Sequence, residues 1–269
     1  MTANKTLNNF RLDGKWALVC GASKGIGAAA ARALADLGAD VTLVARTEES
    51  LKQTFQQLSA SGTQRHSYFT ADFDDHTGLK AALETYLKRN PKLHILVNNT
   101  GGPPGGPANT AKPEEFLAAF NRHLIGGQTL VQTLLPAMRS TGYGRIINVI
   151  STSVKEPIKG LGVSNTVRGA VASWAKTLAG ELGQYGITVN NVLPGFTRTG
   201  RMESLFKARA EKEGRSVADI ENEARNLIPL GRIADADEIG AAIAFLASPA
   251  ASYITGVSLP VDGGRIQSL

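Results

Sequence analysis

The sequence predicts an α/β protein with a doubly wound parallel sheet and helices on both faces. Three observations predict this class. Short apolar runs alternate with segments of helical periodicity along the chain, and that alternation indicates βαβ units. A glycine-rich loop, "CGASKGIG" (20–27), lies between the first apolar run and the first helical segment. No run rich in Pro, Gly or Ser separates two halves, so we expect one domain over residues 1–269.

The apolar runs and the helical segments set the expected elements in order. The expected strands are 16–20, 41–45, 67–71, 94–98, 145–150, 187–193 and 256–261. The expected helices are 25–37, 48–60, 75–89, 113–139, 163–184 and 235–247. The stretch "GGPPGGPANT" (101–110) is predicted to be a loop after the fourth strand. Segment 198–228 is polar and helical and interrupts the strand rhythm, which is typical of a substrate lid.

Composition excludes several classes of protein. Hydrophobic residues make up 42% of the chain and charged residues 19%, as in soluble globular proteins. The single cysteine, Cys20, rules out an internal disulfide and fits a reducing compartment. The apolar run 16–20 is too short for a membrane span or a signal core. We therefore expect a cytoplasmic protein that acts on a small-molecule substrate and has no membrane partner.

The net charge of +6 does not point to nucleic acid. Basic residues are mixed with acidic ones, as in "RMESLFKARAEKEGR" (201–215), and no nucleic-acid-binding motif is present. We expect no nucleic-acid partner and interpret the mixed charges as a solvated face. Four histidines and one cysteine show no ligand spacing, so we expect no metal.

The glycine-rich loop has the chemistry of a dinucleotide site. Gly21 permits a tight turn, Gly25 lets the backbone approach a pyrophosphate, and Gly27 lets helix and strand pack closely. Ser23 and Ile26 complete the loop. Amides at the start of the following helix then face the phosphates. The position between strand and helix makes this a specific prediction.

The end of the second strand indicates which dinucleotide binds. An acidic residue there suits the ribose hydroxyl of NAD, and an arginine suits the 2′-phosphate of NADP. The sequence has Arg46 at that place, with no acid until Glu48, and Lys24 in the glycine loop adds a second cation. Each cation alone is also explained as a solvated surface charge. Together they predict NADP(H).

Dispersed motifs in register show that the chain, from about residue 12 to its end, resembles the short-chain dehydrogenase/reductase family. They are the glycine loop, "NNTG" at 98–101, "NVIS" at 148–151, "PG" at 194–195 and "VDGG" at 261–264. The resemblance implies a Rossmann-type fold, hydride transfer between nicotinamide and a carbonyl or alcohol, and a homotetramer or homodimer. In such an oligomer the helices 113–139 and 163–184 would pack between subunits.

The resemblance also assigns cofactor contacts outside the glycine loop. It implies that Asp72 lies near the adenine and that Asn98, Thr100 and Gly101 border the cofactor. After the sixth strand it implies contacts from Pro194 and Gly195, with Thr197 and Thr199 holding the nicotinamide carboxamide. A purely structural role would also explain the presence of these residues: Asp72 would cap the next helix, and the two threonines would cap the lid.

The family's catalytic groups are largely replaced in this chain. The resemblance assigns Ser151, at the end of "NVIS", to the serine that holds the carbonyl oxygen. Ser164 then falls at the position of the catalytic tyrosine and Arg168 at that of the lysine. The family's asparagine falls at His123, although Asn121 is close enough to be the true match.

These replacements change the chemistry. A serine hydroxyl is far less acidic than a phenol, so Ser164 is a poor general acid. Arg168 stays charged and delivers no proton, but it can stabilise a developing oxyanion. His123, with an ordinary pKa of about 6.5, suits proton transfer, as does water. Structural explanations are a helix N-terminal hydroxyl for Ser164, an ion pair for Arg168 and a packing role for His123.

Three functions fit this pattern. The first is an NADPH-dependent reductase of an activated acceptor, such as a conjugated enone or quinone, with Ser151, Ser164 and Arg168 holding the oxygen. The second reduces an ordinary ketone, such as a 3-oxoacyl thioester, with ordered water as the proton source. The third binds NADPH without turnover, as a sensor or an inactive oligomer partner. We favour an enzyme because the altered positions are still polar and able to bind an anion.

Overall fold

The strand order confirms the predicted doubly wound sheet. In the computed structural model, which describes residues 5–60 and 62–268, seven parallel strands follow the order β3-β2-β1-β4-β5-β6-β7. The strands are β1 Trp16–Cys20, β2 Asp40–Ala45, β3 Ser67–Thr70, β4 Ile95–Asn98, β5 Gly144–Val149, β6 Ile187–Pro194 and β7 Ser258–Val261. The order reverses between β1 and β4, the switch point where ligands bind in such sheets.

Helices connect these strands and cover both faces of the sheet. They are α1 Lys5–Asn8, α2 Gly25–Asp36, α3 Glu48–Phe55, α4 His76–Arg89, α5 Pro113–Phe120, α6 Gly126–Thr141, α7 Gly162–Leu182, α8 Gly200–Glu213, α9 Val217–Asn226 and α10 Ala236–Ala247. A π-helix, Asn121–Ile125, joins α5 to α6. Since parallel strands are buried on both faces, they carry near-continuous apolar runs, and every residue of β5 is buried.

Two apolar cores lie on opposite faces of the sheet. Val19 and Val41 pack on one face with the residues of α2 and α10, and Leu18 and Leu96 pack on the other with α4, α6 and α7. Helices α2 and α10 approach closely because Gly240 has no side chain: a β-carbon there would lie 2.8 Å from the Ala29 carbonyl oxygen. These cores fix the strand ends that carry the site.

Two predicted helices differ from the structure. The helix expected at 48–60 ends at Phe55, because Gln57 and Leu58 donate to carbonyls three residues back and tighten the chain into a turn. That turn buries Leu58. The helix expected at 113–139 is interrupted by the π-helix and continues to Thr141. The spacing of apolar residues does not reveal a π-helix, because apolar residues continue at helical spacing on both sides of it.

The polar segment 198–228 forms α8 and α9, which pack on each other around a small core of their own. Phe206 and Ile228 are buried in that core, whereas Leu227 is exposed. Thr199 caps α8 by accepting a hydrogen bond from the amide of Met202. Within the described ranges, no helix is long and apolar enough to cross a membrane.

Candidate active site

The predicted site residues gather at one edge of the sheet. The glycine loop follows β1, Arg46 follows β2, Asp72 follows β3, Asn98 ends β4 and Ser151 follows β5. Residues 194–199 lie at the end of β6 and beyond it. Because all seven strands are parallel, these carboxyl ends share one edge, which is where open α/β sheets bind ligands.

The glycine loop forms a cradle that a side chain would fill. A β-carbon on Gly21 would lie 2.5 Å from the Asn99 carbonyl oxygen, and one on Gly27 would lie 2.2 Å from the Gly21 carbonyl oxygen. Gly25 has φ +58°, in the left-handed region. Helix α2 starts there, and its N-cap residue, Lys24, forms no side-chain cap, so its first amides remain available. The residues present therefore fit a dinucleotide pyrophosphate.

Two cations flank this cradle. Arg46 and Lys24 are both exposed, and within the described part of the chain neither forms an ion pair. Asp72 is also exposed and accepts a hydrogen bond from the Asp74 amide. It does not cap the following helix: Asp75 does so, by accepting from the Gly78 amide. The structural explanation considered for Asp72 is therefore wrong.

The end of β4 is held by an amide network. The Asn98 Nδ2 donates to Asn148 Oδ1 (2.8 Å), the Asn148 Nδ2 to Asn191 Oδ1 (3.0 Å), and the Asn191 Nδ2 to Ser258 Oγ (3.1 Å). These residues are register partners across β4, β5, β6 and β7. The network fixes the strand ends and leaves the buried Asn98 Oδ1 without a partner among the described residues.

The neighbouring Asn99, which the sequence analysis did not select, contacts the glycine loop. Its Nδ2 donates to the carbonyl oxygens of Cys20 and Gly21 at 3.3 Å each. Asn99 lies within the "NNTG" motif, and that motif is the feature of the sequence that could have identified it.

Gly101, in contrast, was selected from the sequence, but its surroundings leave room for a side chain. No described atom outside its chain neighbours lies within 4 Å of a β-carbon built on it. Sterics therefore do not require glycine at that position.

The threonines after β6 are part of the local backbone structure. Thr197 is buried and donates to the Gly195 carbonyl oxygen (3.1 Å), and Thr199 donates to the Thr197 carbonyl oxygen (3.3 Å). The methyl group of Thr199, Cγ2, would lie 3.2 Å from a β-carbon on Gly25. This contact brings the start of α8 against the glycine loop. Capping of α8 is shown for Thr199, and a cofactor contact stays a prediction.

Arg168 is buried at the end of β5. It lies on α7 with 8% of its surface exposed, and its Nη1 donates to the Val149 carbonyl oxygen at 2.8 Å. Its Nε is buried and has no partner among the described residues. Burial, with a smaller contribution from Arg201, lowers the pKa of Arg168 to about 10, so the guanidinium remains a cation at neutral pH. No described carboxylate pairs with it, so the ion-pair explanation gains no support.

The two predicted serines both precede this arginine in the chain. Ser151 follows β5, and its hydroxyl accepts a hydrogen bond from the Ser153 amide at 3.0 Å. Ser164 is the third residue of α7, one turn before Arg168, and is partly exposed. Within the described residues its hydroxyl forms no hydrogen bond, not even with the helix amides. A capping role does not explain Ser164.

His123 lies in the π-helix and is buried, with 8% of its surface exposed. Its Nδ1 and the Thr100 hydroxyl form a hydrogen bond of 2.5 Å, and its Nε2 has no partner among the described atoms. Burial, together with Arg168, Arg122 and Arg201, lowers the pKa of His123 to about 2. The imidazole is therefore neutral at physiological pH, unlike the ordinary histidine assumed from sequence. Asn121 is exposed instead.

A small, partly open cavity joins these groups. It has a volume of about 20 Å³ and is lined by Asn98, Thr100, His123, Asn148 and Arg168 among others. That volume holds about one water molecule. Three lining residues each carry a buried polar atom without a described partner: Asn98 Oδ1, His123 Nε2 and Arg168 Nε. The lining of the cavity therefore carries an acceptor, Asn98 Oδ1, a donor, Arg168 Nε, and an imidazole nitrogen whose role is set by the tautomer of His123.

Arg201 is a further site residue that sequence reasoning missed. It was grouped with the mixed charges of 201–215, but its side chain crosses to the loop after β4. There its Nη2 donates to the Pro103 carbonyl oxygen. Arg201 is exposed, and the partial desolvation of its guanidinium at this contact lowers the pKa of Arg201. Its sequence neighbourhood is charged on all sides, so no sequence signal separated it from the solvated arginines.

The loop after Ser151 carries two adjacent charged residues, Lys155 and Glu156, and one of this pair has a structural function. Glu156 Oε1 accepts hydrogen bonds from the amides of Gln267 (2.6 Å) and Ser268 (2.8 Å). It thereby holds the C-terminal segment against this loop. Lys155, the other charged residue, is exposed.

Sheet order, glycine cradle and strand-end residues together define a Rossmann-type dinucleotide-binding fold. The family profile described as enoyl-(acyl carrier protein) reductase matches residues 21–265. The chain is 34% identical to the short-chain reductase protein NovJ of Streptomyces niveus, covering 93% of each chain. It is 33% identical to the 3-oxoacyl-(acyl-carrier-protein) reductase of Vibrio harveyi, covering 95% of this chain and 98% of that one.

Solved structures agree with these sequence relationships. L-sorbose reductase from Gluconobacter frateurii, in complex with NADPH and L-sorbose, superposes with a TM-score of 0.90 at 28% identity. The superposition covers 97% of this chain and all of that one, 100%. The chain belongs to the short-chain dehydrogenase/reductase family.

Proposed function

We propose that the protein is an NADPH-dependent reductase that delivers hydride to an activated acceptor, a conjugated enone or quinone. The observation that carries this proposal is Arg168. It is a buried guanidinium without a described carboxylate partner, held at the carboxyl end of β5, the edge at which open α/β sheets bind ligands. A cation placed in this way stabilises negative charge on a substrate oxygen.

NADP(H) is the cofactor that the site suits. L-sorbose reductase, a structural neighbour, is described in complex with NADPH. The glycine cradle and the free amides of α2 would hold the pyrophosphate, while Arg46 and Lys24 would hold the 2′-phosphate. When bound, the reduced nicotinamide supplies the hydride. We further propose Asn98, Thr100, Thr197 and Thr199 as its neighbours at the carboxyl edge.

The substituted residues favour an acceptor that needs little acid assistance. Reduction of a plain ketone leaves a strongly basic alkoxide, which requires a proton donor in the transition state. Ser164 is too weak an acid, and Arg168 keeps its proton. Reduction of an enone or quinone places charge on an enolate or phenolate oxygen, a much weaker base. Arg168, with the hydroxyls of Ser151 and Ser164, would stabilise that oxygen until solvent protonates it.

Water is the proton source that the geometry supports. His123 is neutral because burial and nearby arginines keep its pKa at about 2, so no imidazolium is available at neutral pH. The adjoining cavity has room for one water molecule beside Asn98, His123 and Arg168. We assign His123 a positioning role through its bond to Thr100.

We also propose that the chain is one domain whose α8–α9 segment, 198–228, acts as a substrate lid. Its own small core lets it move as a unit, and Thr199 and Arg201 place it beside the site. A homotetramer or homodimer would cover Leu117 and Phe120, which α5 exposes.

The test follows NADPH oxidation spectroscopically against ketones, 3-oxoacyl thioesters, quinones and conjugated enones. Cofactor binding is measured on the same preparation. We expect turnover of enones or quinones and at most slow turnover of plain ketones. Equal rates on plain ketones would contradict the activated-acceptor assignment. Tight NADPH binding without any turnover would instead favour a cofactor-binding sensor or oligomer partner.

A further inference from the structure

Two guanidinium groups from different helices meet beside Gly102. The Nη2 of Arg201 would lie 3.4 Å from a β-carbon on Gly102, and the Nη2 of Arg168 would lie 3.8 Å from the same point. Arg168 comes from α7 and Arg201 from the first turn of α8. The loop after β4 thus lies against two cations at once.

Neither cation is neutralised. Arg168 donates to the carbonyl oxygen of Val149 and Arg201 to that of Pro103, and both acceptors are uncharged. Within the described ranges, no Asp or Glu forms an ion pair with either. Arg198, three residues earlier, differs: its guanidinium lies 3.7 Å from Glu221 and 3.8 Å from Asp235.

Arg168 is buried, whereas Arg201 is exposed at the mouth of the same place. The two like charges repel each other, and Arg168 also loses hydration. The pKa of Arg168 is lowered by both effects. Such an arrangement is unfavourable in the free protein and becomes favourable when an anion binds between the two groups. It therefore marks a place built for a negatively charged ligand.

We propose that Arg201 and Arg168 together bind a carboxylate of the substrate, so that the enzyme selects acceptors carrying a carboxylate. This inference rests on the proposed function, because it names the substrate class of that same site. The planar fork of arginine matches a carboxylate through two parallel hydrogen bonds. A carboxylate held by Arg201 would also fix α8 against the loop after β4 and keep the proposed lid closed.

The cofactor pyrophosphate is the other anion that this fold brings near. The contacts of Arg201 favour the substrate, because its described hydrogen bond goes to Pro103 on the loop after β4. Thr199, not Arg201, contacts Gly25 of the glycine loop. The pyrophosphate is expected at that loop, so the two anions occupy different places.

The experiment compares 3-benzoylpropanoate with its methyl ester, which differ in one charge. Calorimetry measures their binding to the full chain saturated with NADP⁺, so that no turnover occurs. The variants are Arg201→Gln and, as a matched control on the same segment, Arg198→Gln. The affinity for NADP⁺ is measured for all three proteins. A second arm measures NADPH oxidation with the unsaturated pair, 3-benzoylacrylate and its methyl ester.

We expect the carboxylate to bind about ten- to a hundredfold more tightly than the ester. Arg201→Gln should remove most of that preference, since Arg168 remains, and should leave NADP⁺ binding unchanged, whereas Arg198→Gln should alter neither. Equal binding of the two probes, no binding of the carboxylate, or a parallel loss of NADP⁺ affinity in Arg201→Gln would overturn the inference. Selective carboxylate binding without turnover of either acrylate would uphold it and contradict only the proposed activity.

Discussion

Arg168 Nη1 donates a hydrogen bond of 2.8 Å to the carbonyl oxygen of Val149, the last residue of β5. This bond fixes a buried cation at the strand end that is followed by Ser151. It uses one of the five N–H groups of the guanidinium. The remaining N–H groups can donate to a bound ligand while the bond to Val149 is kept. Their availability is the basis of the first prediction.

Replacement of Arg168 by methionine should reduce turnover far more than cofactor affinity. An apolar side chain keeps much of the volume but removes the charge that stabilises the oxyanion, so we expect a decrease in kcat of at least about a hundredfold. NADPH affinity should change by less than about fivefold, since the cradle is untouched. Steady-state kinetics and fluorescence titration measure the two quantities. Equal losses in both would identify Arg168 as a cofactor ligand instead.

Replacement of Ser164 by alanine tests whether the Ser164 hydroxyl binds a ligand or stabilises the fold. The hydroxyl makes no described hydrogen bond within the protein, so the free energy of unfolding should change by less than about 0.5 kcal/mol. Turnover should fall about tenfold, as expected for one lost donor to the substrate oxygen. Thr199→Ala is the contrasting variant, because it removes a helix cap and should destabilise by about 1 kcal/mol. Unaltered turnover in Ser164→Ala would remove Ser164 from the site.

Replacement of Arg46 by aspartate should narrow or reverse the preference for NADPH over NADH. The side chain is exposed at the end of β2, with no described ion-pair partner to reorganise, so the change acts on the cofactor alone. An acid there repels the 2′-phosphate and accepts from a ribose hydroxyl. Arg65→Asp, the same charge change at the opposite edge of the sheet, is the control. Equal affinity of the unaltered protein for both cofactors would contradict the NADP(H) assignment.

The sequence predicted a doubly wound parallel sheet and nearly all element positions, because buried parallel strands and packed helices carry strong periodic patterns. It also placed Ser151 and Arg168 near the end of β5. It did not predict the orientation of Arg201, which depends on where α8 docks, nor the contact of Asn99 with the glycine loop. The lowered pKa of His123 could not be predicted from the sequence either, because it depends on burial and on arginines contributed by other elements.

Activity should show no ionisation of His123 near pH 6.5. A histidine acting as general acid would give a rate that falls as the pH rises through its pKa. Since the pKa of His123 is about 2, the imidazole stays neutral throughout the accessible range. His123→Asn should therefore change the magnitude of kcat but not the shape of its pH profile between about pH 5.5 and 7.5, one unit either side of the ordinary histidine pKa. An inflection near 6.5 that disappears in the variant would restore His123 as the proton donor.

Stability should decrease in mild acid because of His94, which is buried beside β1. Its Nδ1 accepts a hydrogen bond from the Trp16 amide at 3.0 Å, and protonation of that nitrogen would break the bond. Burial, then Lys15 and Lys92, lowers the pKa of His94 to about 4. Between that value and the unfolded pKa of about 6.5, the unfolded chain binds a proton that the folded chain does not. Stability therefore falls as the pH drops through this window.

The expected slope is at most about 1.4 kcal/mol per pH unit for one histidine. Urea unfolding from pH 7 to about 5.5 measures it above the range in which carboxylates protonate, at one protein concentration. His94→Gln should have a smaller slope than the unaltered chain, even if its stability at pH 7 is lower, because glutamine does not titrate. His123 contributes in the same direction and persists in this variant, so a residual slope is expected. An unchanged slope in His94→Gln would show that the pKa of His94 is the same in the folded and the unfolded protein.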